Sequence, residues 1–173
     1  MKRWLIPLVV LVAAPAAEAN PQFDVTLALQ NLRAGRDADA LYWLNRAIGE
    51  QGLKGAARAD ALEWRAFLHV KRNNPRAARA DLDAAIAAES DNPLRHRARA
   101  RFVLRAGDYR AALADMEAVM SRSSTDAENY ADLCEALLGL GRRAEAVVQC
   151  QKAIQVNPEY ARPKQLLRRA GAR

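Results

Sequence analysis

Apolar residues recur along this chain in four copies of one stripe. A small side chain stands first, at Ala40, Ala78, Ala112 and Ala146. Four residues later come Leu44, Leu82, Met116 and Cys150, and three further on Ala47, Ala85, Val119 and Ala153. Ile48, Ile86, Met120 and Ile154 follow. Offsets of three, four and eight lie on one face of an α-helix. The segments that carry the last three stripes are NNPRAARADLDAAIAAES, GDYRAALADMEAVMSRSS and GRRAEAVVQCQKAIQVNP, and their starts, Asn73, Gly107 and Gly141, are 34 residues apart. The first copy, GRDADALYWLNRAI, starts at Gly35, 38 residues before Asn73, which puts four extra residues around Gly52 to Gly55.

Each striped segment is preceded by a second helical stretch. The pattern predicts helix pairs at about 22–33 and 36–50, 57–72 and 75–88, 93–106 and 108–121, and 126–140 and 142–156. A last helix over 161–170 has Pro163 in its first turn, where proline is tolerated. Arg162, Lys164, Arg168 and Arg169 give it the polar outer face of a terminal cap. Asn74-Pro75 and Asn92-Pro93 are helix starts, and Thr125 with Glu128 has the spacing of a capping box.

Composition agrees with a folded helical chain: 51% of residues are apolar, 27% are charged and only 6% are aromatic. The first 19 residues read as a secretory signal peptide. Lys2 and Arg3 open it, Trp4 to Ala17 form an apolar stretch, and Ala17-Glu18-Ala19 is a cleavage signal before Asn20. That stretch is shorter than the roughly 20 residues that span a bilayer. Cleavage would take the net charge from +7 to +6 and place the protein in the periplasm or outside the cell. Export argues against nucleic acid as the partner of this basic chain and leaves acidic proteins or an anionic membrane surface. The compartment is oxidising, so Cys134 and Cys150 come into question as a disulfide.

The 34-residue period and its stripe resemble the tetratricopeptide-repeat family over roughly Pro21 to Tyr160. The fourth copy carries the resemblance best. Tyr130, Leu133, Cys134 and Leu137 fit the first helix, and Gly141, Ala146, Cys150, Ala153 and Pro158 fit the second helix and its stop. The chain departs from the family at Arg65 and Arg99, where leucine is usual, at His69, where an aromatic is usual, and at Ser90 and Ser124, which replace the closing proline. The resemblance implies an all-α, right-handed α-solenoid of about four helix pairs, with repeats at about 21–54, 59–92, 93–126 and 127–160 and a capping helix within 161–173. It also implies that the first helix of each pair lines a concave groove, and that Cys134 and Cys150 face one another across the fourth pair. Two outcomes stand there: a disulfide that staples the hairpin, or two buried thiols held about one helical turn apart.

No constellation of catalytic residues is present. His69 and His96 have no carboxylate, cysteine or serine partner close in sequence, and two histidines make a poor metal site. The chain is therefore read as no enzyme, with no metal and no cofactor. The groove is where function is expected. Trp64 and Phe67 stand there as apolar anchors or as core, and Arg97, Arg101 and Arg105 form a stripe at i, i+4, i+8, with Glu135 on the next repeat. The arginines suit an acidic segment or a C-terminal carboxylate, unless Glu63 and Glu135 neutralise them. The resulting expectation is an adaptor or scaffold of the bacterial cell envelope that binds a protein segment. The alternative is a self-associating structural protein or a membrane-surface subunit of an envelope complex.

Overall fold

The computed structural model describes residues 20–49, 52–122 and 126–171. The signal peptide and its cleavage site, together with Ser124 and Thr125, lie outside the described residues. Among the described residues there are helices α1 (Pro21–Arg33), α2 (Asp37–Gly49), α3 (Gly55–Lys71), α4 (Pro75–Ala88), α5 (Pro93–Arg105), α6 (Tyr109–Met120), α7 (Ala127–Gly139), α8 (Arg143–Val156) and α9 (Ala161–Ala170), and no strand. Consecutive helices pack as antiparallel pairs, α1 with α2 through α7 with α8. The pairs stack so that each touches only its neighbours, and α9 covers the last one.

The stripe that defines the repeat is the seam of each pair. Ala40, Ala78, Ala112 and Ala146 are all fully buried, as are Leu44, Met116 and Cys150. A methyl group is the largest side chain that lets two helix backbones come this close, so alanine recurs where they cross. Ile48 is buried, whereas Ile86, Met120 and Ile154 are only half-covered because they lie at the margin of the seam.

Every hairpin turns in the same way. Gly35, Asn73, Gly107 and Gly141 all have positive φ, at 71°, 56°, 78° and 75°. The amide after each donates back to the carbonyl five residues earlier: Arg36 to Asn31, Asn74 to His69, Asp108 to Val103 and Arg142 to Leu137, all within 2.8–2.9 Å. This is a Schellman closure, and it uses the left-handed conformation that glycine adopts freely and asparagine tolerates. The side chains of Asn20, Asn74, Asn92 and Asp108 cap the helices that follow them. At α7 the cap is Asp126, whose carboxylate accepts from the Glu128 amide, rather than the expected Thr125.

The extra residues between the first two pairs fold inward. Leu53 is buried in the first core cluster, and Gly52 lies so close to Pro21 that an added Cβ would stand 2.5 Å from its Cγ. The insertion thus closes the open end of the first pair.

The departures at Arg65 and Arg99 also have a structural reason. Each arginine crosses its hairpin to an aspartate 16 residues on, using two guanidinium nitrogens: Arg65 to Asp81 at 2.9 and 2.6 Å, and Arg99 to Asp115 at 2.9 and 2.6 Å. Both aspartates are buried. In the fourth hairpin the cross-link is covalent: Cys134 and Cys150 are bonded, with their Cα atoms 5.4 Å apart and again a sequence separation of 16. In the first hairpin the polarity reverses, and the fully buried Asp24 of α1 takes two nitrogens of Arg46 on α2.

Candidate binding groove

The odd-numbered helices line one continuous trough with two halves of different chemistry. The apolar half runs between α1 and α5. Leu29 and Leu32 of α1 face Trp64 and Phe67 of α3, and the next cleft is floored by Ala66, Leu82, Ala98 and Phe102. Trp64, Phe67 and Val70 remain 43%, 50% and 43% exposed, which answers whether the two aromatics are core or surface. Leu29, Leu32, Val70 and Phe102 were not expected in the groove. Their signal was available in the period, because Phe67, Arg101 and Glu135 stand one repeat apart and form one row across the trough.

The charged half runs from α5 to α9. Arg97 donates to Asp126 at 2.9 Å. Arg101 donates to Asp132 at 2.9 Å and to Glu128 at 2.5 Å. Arg162 of α9 donates to the other oxygen of Asp132 and to Glu135, both at 2.5 Å. Asp132 is fully buried between these two arginines and ties α5, α7 and α9 together. Arg162 was expected on the outer face of the cap, but it turns inward. Ala131, between Glu128 and Glu135 on α7, is fully buried.

The arginine stripe is therefore internally neutralised, though by different acids from Glu63 and Glu135 paired with Arg97 and Arg101. Glu135 belongs to Arg162, and Glu63 belongs to Arg95. Arg95 is nearly buried and gathers Asp60 at 2.7 Å, Glu89 at 2.6 Å and Glu63 at 3.1 Å. Burial raises the Glu63 carboxyl above its ordinary range even though Arg95 opposes it, while the Arg95 hydrogen bond draws Glu89 below its own. Arg105 alone of the stripe is exposed with no charged partner among the described residues, at the junction of the two halves.

The two histidines each lean on a buried aspartate, His69 at 3.7 Å from Asp81 and His96 at 3.4 Å from Asp115. Those carboxylates are already held by Arg65 and Arg99, so the histidines extend the hairpin cross-links. Among the described residues no group of three or more histidine, cysteine or acidic side chains could hold a metal ion.

Comparison with known proteins places this geometry. A family model described as Tetratricopeptide repeat matches residues 103–170, from the end of α5 through α9. No curated protein matches the chain. Among solved structures it is similar to MamA 41-end from Desulfovibrio magneticus RS-1, with a TM-score of 0.77 at 19% identity over 87% of this chain and 85% of that one. The fold is a tetratricopeptide-repeat solenoid. YrrB, described as a TPR protein with an unusual peptide-binding site, aligns with a TM-score of 0.74 at 14% identity over 88% of this chain and 76% of that one. The C-terminal part of a TPR repeat-containing protein from Cytophaga hutchinsonii gives 0.74 at 14% identity, over 89% and 59%. At these identities the likeness is one of fold, and tetratricopeptide-repeat folds serve in general as protein-interaction scaffolds.

Proposed function

We propose that this protein is an adaptor or scaffold of the bacterial cell envelope that holds a segment of a partner protein in its concave trough. One observation carries the reading: Trp64, Phe67 and Val70 stay exposed together on the inner helices, beside clefts floored by apolar side chains. Exposed aromatics grouped in a concavity are the usual anchors of a protein interface. The existence of a tetratricopeptide-repeat structure described as having a peptide-binding site supports a similar use of the groove here.

The charges refine the ligand. Arg97 and Arg101 are committed to acids of the fold, so a long acidic segment finds few free partners. The groove suits a segment that puts apolar side chains between α1 and α5 and one carboxylate opposite Arg105. Lys2, Arg3, the apolar stretch to Ala17 and the Ala17-Glu18-Ala19 signal support export and hence a partner in the envelope.

The test is partner capture from envelope fractions with three proteins of equal helicity: the wild type, Trp64→Ala with Phe67→Ala, and Arg105→Glu. The expected result is a partner retained by the wild type, lost with the aromatic pair and weakened by the charge reversal. A partner held equally by all three places binding on another face and sinks the groove reading.

A further inference from the structure

The excess positive charge of this chain has an address, and it is not the groove. Because the pairs stack in one orientation, all four hairpin turns lie along one edge of the solenoid. Contacts between successive turns show this directly. Lys71 pairs with Asp37 between the first and second, and Arg79 reaches Asp108 at 3.9 Å between the second and third. The Tyr109 ring of the third lies against Gly139 at the fourth.

Cations collect along that edge. Arg33 ends α1, Arg72 and Arg76 flank the second turn, Arg105 and Arg110 flank the third, and Arg143 begins α8. Arg168 and Arg169 end α9, which runs in the same direction as α7 and so finishes at the same edge. All of these are exposed, and none of their side chains has an ion pair or hydrogen bond among the described residues. The arginines inside the groove, Arg97, Arg101 and Arg162, are each bound to carboxylates, and only Arg33 and Arg105, at its margin, are not. On the opposite edge Glu89, Asp91 and Asp126 meet Arg95, Arg122 and Arg97.

We propose that the turn edge is a docking surface for an anionic bilayer, recognised through the phosphate and carboxylate groups of acidic lipids. A row of guanidinium groups spread over four turns and the end of α9 can meet a flat anionic surface all at once, whereas a single carboxylate could engage only one or two. Guanidinium forks suit phosphate oxygens, and basic residues near an acidic membrane gather binding energy additively. The one aromatic ring at these turns, Tyr109, is packed against Gly139 and is not free to stack on a base. Lying on this edge leaves the trough open to the side, so docking is compatible with partner binding, with Arg33 and Arg105 at the margin where the two surfaces meet.

The test is co-sedimentation of the full chain with vesicles of phosphatidylcholine alone or mixed with phosphatidylglycerol. An edge variant, Arg72→Glu, Arg110→Glu and Arg143→Glu, is compared with a control of equal charge change, Lys54→Glu, Arg122→Glu and Lys152→Glu. Residues 1–19, with Lys2 and Arg3, are common to all three, so the difference between the edge variant and the control on acidic vesicles isolates the edge. The expected result is acidic-vesicle binding that falls roughly ten-fold or more in the edge variant, stays within about two-fold in the control, and fades between about 50 mM and about 500 mM NaCl. Equal loss in both variants would mean that net charge and not the edge is read, and would overturn the proposal. So would the absence of any preference for acidic vesicles, or tighter binding to duplex DNA than to vesicles at equal phosphate. Because the edge variant leaves Trp64 and Phe67 intact, its capture of a groove partner separates this proposal from the adaptor reading.

Discussion

Arg65 and Arg99 show how one side chain can replace a hydrophobic contact with an ionic one. Removing only the arginine strands a buried carboxylate, so Arg65→Leu should cost about 3 kcal/mol in chemical denaturation. Replacing both partners, Arg65→Leu with Asp81→Leu, should recover most of that loss, because two apolar side chains restore the packing usual at this seam. A double variant no more stable than the single one would remove the ionic account of these two positions. Glu89 carries a pH signature. Its folded pKa lies below its ordinary value near 4.5 because Arg95 donates to it. Its contribution is therefore complete above that value and is lost as the pH falls through the lowered folded value. The stability difference between wild type and Glu89→Gln should be flat from neutrality down to about pH 5 and then close. Neither effect was legible in the sequence. An arginine at a leucine position looks like a departure until the aspartate 16 residues on is seen to face it.

At the scale of the element, the hairpin is the unit that the sequence announces most clearly. The alanine stripe, the cap residues and the glycine or asparagine at each turn all point to the same helix boundaries, and the observed helices begin and end within about two residues of the pattern. Asn73 is the one turn residue that is not glycine and yet has positive φ. Asn73→Gly should raise the thermal midpoint slightly, while Gly107→Ala should lower stability by about 1 kcal/mol, since alanine resists the left-handed region. The fourth hairpin is held by the Cys134–Cys150 bond, which closes a loop of 16 residues. Its removal in Cys134→Ala with Cys150→Ala should lower stability by roughly 3 kcal/mol. Reductant should do the same to the wild type and nothing to the variant. The spacing of the cysteines left open whether they meet, because one residue of helix rotation decides whether two facing Cβ atoms converge or stand a turn apart.

For the whole molecule, the arrangement of charge was the least legible property. The i, i+4, i+8 run of arginines on α5 reads as a free basic stripe, since periodicity reports a face and says nothing about the neighbouring helix. The acids that consume the stripe come from α7 and its cap, 27 to 31 residues away. Asp132 is the keystone, joining α5 and α9 through two arginines while fully buried. Asp132→Asn should cost about 3 kcal/mol, and hydrogen exchange should show the loss of protection concentrated in α9. Uniform loss across all the helices would argue instead that the array unfolds as one cooperative unit.

The ion pairs that cross from one repeat to the next also set the mechanical character of the trough. A solenoid flexes by changing the angle between successive pairs, and each such change stretches Arg95–Asp60, Arg97–Asp126, Arg101–Glu128 or Arg162–Glu135. These contacts act as tie-rods along the concave side, and their tension depends on screening. The trough should therefore hold its curvature more stiffly in dilute salt and become more compliant in concentrated salt.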